Sequence, residues 1–118
     1  MSQFDFMDKM YSFKDLPKKR EYILSRSLKI YPELSKDQVE DVLDKIKISL
    51  RSQREKGASN HEKMTIYIGY RELSKYGADT EKKFIEYLNS PRSPIVHETT
   101  HIFQNINDEM THSLFITD

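Results

Sequence analysis

Met64-Thr65-Ile66-Tyr67-Ile68-Gly69 is the stretch that decides the fold class. Met64, Ile66 and Ile68 alternate with Thr65 and Tyr67, the period of two expected of a half-buried strand. It is the one clear strand signal, because the other apolar residues recur at helical spacing. The expected class is therefore α+β, mostly helical. A lone strand leaves its backbone donors and acceptors unpaired, so it requires a partner. Ser113 to Ile116 and the N-terminal arm are both candidates, and the sequence does not choose between them.

Upstream of the strand, two helices are expected. Pro17 suits a first helical turn, and Tyr22, Ile23, Leu24, Leu28 and Ile30 carry a helix from about residue 16 until Pro32 stops it. The short connection predicts a hairpin with the next helix. There Ser35 and Gln38 form a capping-box signature, and Val39, Val42, Leu43, Ile46 and Leu50 lie along one face. Acids lead (Asp37, Glu40, Asp41, Asp44) and bases follow (Lys45, Lys47, Arg51, Arg54, Lys56), an order that complements a helix macrodipole. The bases can also be read as a phosphate-binding patch, the less economical explanation. Phe6, Met10 and Phe13 predict a short helix or loose arm over the core, and Gly57 to Asn60 reads as a break.

Downstream, Tyr70 to Tyr76 reads as a helical turn or loop ended by Gly77. Asp79 is the expected cap of a helix carrying Phe84, Tyr87 and Leu88. Ser90-Pro-Arg-Ser-Pro94 separates it from a last helix at about residues 94–106, with Ser93 as its N-cap, Pro94 in the first turn and Ile95, Val96, Ile102, Phe103 and Ile106 on its apolar faces. The expected domain is a single unit over residues 1–118.

The chain has 118 residues, 36% of them hydrophobic, enough for one modest core. Nineteen bases balance nineteen acids, which argues against a dedicated nucleic-acid binder. There is no cysteine, so a zinc ion would have to be held by histidine and carboxylate. The opening residues lack a basic leader and a continuous apolar run, so neither a signal peptide nor a membrane span is expected, and a cytoplasmic setting follows. Acids outnumber bases seven to three from Asp79 to Asp118; solvated surface charge accounts for this as well as cation attraction does.

The last helix carries the chemistry. His97, Glu98 and His101 have H-E-x-x-H spacing: residues four apart share a helix face, so the two imidazoles can converge on one metal ion while Glu98 projects beside them. Ile95-Val96-His97-Glu98-Thr99-Thr100-His101-Ile102-Phe103-Gln104 resembles the active-site helix of the zincin metallopeptidases, some of them small phage or bacterial proteins; the subfamily stays open. The resemblance implies Zn2+ as cofactor, His97 and His101 as ligands, Glu98 as general base and a peptide or protein as substrate, with neither nucleic acid nor membrane as partner. It also sets the Met64 to Gly69 strand where zincins often have an edge strand that aligns an extended substrate.

A catalytic zinc needs a third protein ligand. Gln104 and Asn107 stand where the metzincin bend glycine and third histidine would be. His112 is the favoured alternative, on the expectation that a turn at Asn105 to Asp108 folds the tail back along the helix. Glu109, Asp108, Asp118 and His61 are further candidates, although a histidine in a polar loop is usually just exposed. Only seventeen residues follow His101. The chain therefore reads as a small zinc-dependent hydrolase, as a piece of a longer one, or as a degenerate relative that binds metal without hydrolysis. A competing reading is a helical interaction protein in which the motif has no catalytic role. Tyr67, Tyr70, Tyr76 and Tyr87 could each donate to an oxyanion, but packing is their plainer use.

Overall fold

The computed structural model describes the backbone of residues 5–116 and the side chains of residues 6–109 except Glu72. In chain order the elements are β1 (Tyr11–Ser12), α1 (Pro17–Ile30), α2 (Lys36–Lys45), β2 (Lys47–Arg51), β3 (Gly57–Asn60), β4 (Thr65–Gly69), α3 (Tyr70–Tyr76), α4 (Glu81–Asn89) and α5 (Ile95–Ile116), with short 3-10 turns at Asp5–Asp8 and Phe13–Asp15. The fold is α+β, with five helices and one four-stranded mixed sheet among the described residues.

The two N-terminal helices form where their local signals put them. Pro17 opens α1, and Tyr31 caps its end ahead of Pro32. The capping box of α2 has both of its bonds: the Gln38 N–H donates to Ser35 Oγ at 3.1 Å, and the Ser35 N–H to Gln38 Oε1 at 2.8 Å. Arg20 ties the hairpin together by donating to Asp44 Oδ1 at 3.1 Å.

The second helix does not continue to Leu50. It ends at Lys45, Ile46 has an extended backbone (φ −70°, ψ 130°), and Lys47–Arg51 is a strand. Ile46, Ile48 and Leu50 are all buried, so their period is two as well as three or four, and pairing on both sides of β2 decides between them. Lys47 and Arg51 are thus not at a helix C-terminus; of the basic run only Lys45 is in the last turn of α2.

The sheet order is β1-β2-β4-β3. The zincin resemblance implies an edge position for strand β4. Instead it is interior, parallel to β2 (Ile48 opposite Ile66) and antiparallel to β3 (Ser59 opposite Ile66). Burial follows position: Ile66 and Ile68 are fully buried. The supposed break at Gly57 to Asn60 is β3, the real edge. The N-terminal arm pairs with β2 through β1, and residues 113–116 are helical rather than a strand. To place β4 between β2 and β3, the chain crosses the end of β4, where the Gly69 N–H donates to Lys56 O at 3.1 Å. A side chain at Gly69 would run into the Glu55 carbonyl.

Gly77 ends α3 in the left-handed region (φ 77°), as expected. The cap of α4 is Thr80, whose Oγ1 accepts from the Lys83 N–H at 3.2 Å, rather than Asp79. Phe84, Tyr87 and Leu88 of α4 are buried. The arm does cover the core: Phe6 and Tyr11 pack on Phe84 with ring centroids 5.7 and 5.0 Å away. Among the described residues no helix is long and apolar enough to cross a membrane.

Tyr11 is 3% exposed and donates to Phe6 O at 3.0 Å. Burial, reinforced by Glu81 and Asp15, pushes its hydroxyl up to about 12. Between pH 10 and 12 the unfolded chain therefore releases a proton that the folded one keeps, so stability present below pH 10 is lost as pH rises, on the order of 2 kcal/mol in all. Urea unfolding at pH 9 and pH 11.5 is expected to show this loss for the wild type and not for Tyr11→Phe.

Candidate metal site

Helix α5 begins at Ile95, with the Glu98 N–H donating to Pro94 O at 2.9 Å. Ser93 is not the side-chain cap expected of it. Its hydroxyl donates to Leu88 O at 2.8 Å, so it is used to close the end of α4. Ile95, Thr99, Ile102 and Phe103 face the core, and Phe103 stacks on Tyr31 at 6.0 Å. The threonine hydroxyls bond within the helix, Thr99 to Ile95 O at 2.7 Å and Thr100 to Val96 O at 2.8 Å, which satisfies them without any charged neighbour.

On the outer face His97 and His101 meet. Their Nε2 atoms are 3.0 Å apart, with ring centroids at 4.5 Å and planes at 89°. One ring's N–H donates to the other's lone pair, so the two nitrogens point into the same space. Two nitrogens of one tetrahedral zinc, each at 2.0 to 2.1 Å, would be roughly 3.3 Å apart. The separation in the structure is close to that, and a metal ion would replace the proton shared between the two rings. Both histidines are exposed, His97 with 71% of its side chain accessible.

Glu98 has the opposite environment. Its side chain is 9% exposed, with Oε2 4.0 Å from His97 Nε2. What covers it is edge strand β3, which packs along α5. At Gly57 the approach leaves no room for a side chain: a Cβ there would be 2.5 Å from Pro94 Cγ and 3.3 Å from Glu98 Cγ. The carboxylate is thus held at the seam between the open sheet edge and the motif helix, beside the imidazole pair.

The expected third ligand is not brought to this point. No turn occurs at Asn105 to Asp108. Helix α5 runs unbroken to Ile116, so the backbone of His112 lies eleven residues past His101, about 16 Å of rise. The fold-back on which His112 depended is absent, and its side chain lies outside the described residues, as does Asp118. Asp108 and Glu109 are seven and eight residues beyond His101, about 10 to 12 Å of rise. Glu109 is engaged elsewhere: its Oε1 is 2.8 Å from Nε2 of His61, in the β3–β4 turn. His61 is therefore half-buried and paired, not a free loop histidine, and it fastens that turn to α5. Among the described residues no group of three His, Cys, Asp or Glu side chains converges to hold a metal.

The tyrosines are used in packing. Tyr87 is fully buried with Tyr76 5.2 Å away, and Tyr67 lies under the Arg51 guanidinium at 4.8 Å. Comparison with protein families, curated proteins and solved structures finds no match.

Gly57 is the site residue that the sequence reading passed over. Its only signal was the run of small residues Gly57-Ala-Ser-Asn60, which suits an edge strand lying close to a helix as well as it suits a break. Gly57→Val is expected to destabilise the protein by about 1 to 3 kcal/mol, because neither Pro94 nor the Glu98 stem can retreat without parting β3 from α5. Urea unfolding of wild type and variant measures it, and an unchanged midpoint would contradict the packing described.

Proposed function

We propose that the chain is a zinc-dependent hydrolase of the metallopeptidase type, with His97 and His101 as metal ligands and Glu98 as general base. The observation that carries the proposal is the 3.0 Å approach of the two Nε2 atoms on an exposed helix face, with a buried carboxylate 4.0 Å from one of them. The likeness of Ile95 to Gln104 to a zincin helix supports the same assignment.

A zinc ion held by the imidazoles would supply Lewis acidity and a water of lowered pKa. The chain's own part is positional. His97 and His101 are a helical turn apart on an element anchored by Ile95, Ile102 and Phe103, so little ordering remains to be done on metal binding. Glu98 would take a proton from an attacking water, and its burial against Gly57 limits the rotamers from which it could do so. The open edge of β3 next to it offers backbone groups to an extended peptide.

A specific observation favours a second reading, in which the site binds metal without hydrolysis, or the chain is an interaction protein: no third ligand converges among the described residues. The two readings part experimentally. On the first, Zn2+ at a hundred times its dissociation constant stabilises the fold by about 2.7 kcal/mol, and the His97→Ala, His101→Ala double variant loses that gain. Glu98→Gln keeps the metal, measured by metal analysis, and loses casein or peptide hydrolysis by at least about a hundredfold. Zinc binding with no wild-type hydrolysis establishes the second reading, and absence of both binding and stabilisation removes the metal altogether.

A further inference from the structure

Beside the motif, the first turns of α1 and the connection from α4 to α5 enclose a groove of about 780 Å³, within the size range of ligand sites. Pro17, Tyr22, Pro91 and Val96 give it apolar walls, and Lys18 and Lys19 give it charge. The two prolines stiffen opposite sides, while Tyr22 stays 52% exposed, its hydroxyl accepting from Arg26 Nη1 at 3.2 Å.

The charge is one-sided. Lys19 Nζ crosses from α1 to donate to Ser90 O at 3.1 Å, a bond that occupies one of its three donors. Burial lowers the Lys19 pKa, the mark of an ammonium short of solvent. Neither Lys18 nor Lys19 is paired with a carboxylate among the described residues, whereas Lys36, Lys45 and Lys83 each are. Ser93 and Val96 bring the positive end of α5 to the same groove, and the Ser93 hydroxyl is turned to Leu88 instead of capping it. Two ammonium groups without a carboxylate partner, set among apolar walls, complement an anion attached to an apolar body.

We propose that this groove binds peptide segments in which an acidic side chain neighbours an apolar or aromatic one. The acidic-apolar chemistry rests on the groove; that the ligand is a peptide rests on the hydrolase reading above, with Val96 of the groove wall one residue from His97 in the chain. The carboxylate bonds to Lys18 and to the free donors of Lys19, and the apolar side chain lies on Tyr22 between the prolines.

The test is fluorescence anisotropy with a dye-labelled octapeptide in which Asp and Glu flank a Phe-Leu pair, and with its counterpart carrying Lys for each acid. The protein is kept in chelator at low salt, so that binding is read independently of metal. The acidic peptide is expected to bind at least about tenfold tighter than the basic one, and Lys18→Glu with Lys19→Gln to erase the difference while the circular dichroism and melting temperature stay those of the wild type. Lys18→Glu alone, at an exposed position, gives the same reading if the double variant does not fold. Equal binding of the two peptides overturns the proposal, as does a preference that survives the lysine substitutions. So does a dimer that Lys18→Glu dissolves while neither peptide binds, which would make the groove a contact between copies of the chain. Acidic-peptide binding without cleavage in zinc leaves the groove standing and removes the hydrolase reading.

Discussion

The structure depends on β4 being paired on both sides. A strand with β2 along one edge and β3 along the other has every backbone group engaged, and its Ile66 and Ile68 are removed entirely from water. That arrangement forces the chain over the end of β4 and pushes β3 to the rim, where it is the strand that α5 packs against. The seam between β3 and α5 is closed by the absence of a side chain at Gly57. The position of Glu98 is therefore inherited from the sheet order.

The two sides of the motif are treated in opposite ways. His97 and His101 face water and hold each other, whereas Glu98, one residue from the first of them, is nearly out of water. Exposure is what incoming ligands require of the imidazoles, and confinement is what a base requires to keep its direction. The His61–Glu109 contact adds a second fastening of the β3–β4 turn to α5, about two turns along the helix from His101. The seam is thus tied at both ends, by packing at Pro94 and by a polar bond at Glu109.

Helix α5 also explains why one candidate ligand has to be given up. A tail that turned at Asn105 could return a histidine to the metal; a helix that continues carries it steadily away. Asn105 itself takes part in the continuation, donating from Nδ2 to His101 O at 2.8 Å. A residue type common in turns here bonds back along the helix. On the other flank, the start of α5, whose Ser93 hydroxyl is turned to Leu88 O, adjoins the groove that Lys18 and Lys19 line.

What the sequence determined by itself was everything set within a few residues. The α2 capping box, the Pro17 start of α1, the Gly77 stop of α3 and the i, i+4 spacing that brings His97 to His101 all depend on local geometry, and all are present. Ile46 to Leu50 and Gly57 to Asn60 could not be settled that way: their apolar or small residues fit two backbone conformations, and only a partner's unpaired N–H and C=O groups select the strand. The tertiary structure likewise decided that β4 is interior, that Ser93 serves α4 rather than α5, and that Glu98 is buried. Each of these turns on an atom far away in the chain, because burial and pairing are properties of what is brought together and not of the residue that is brought.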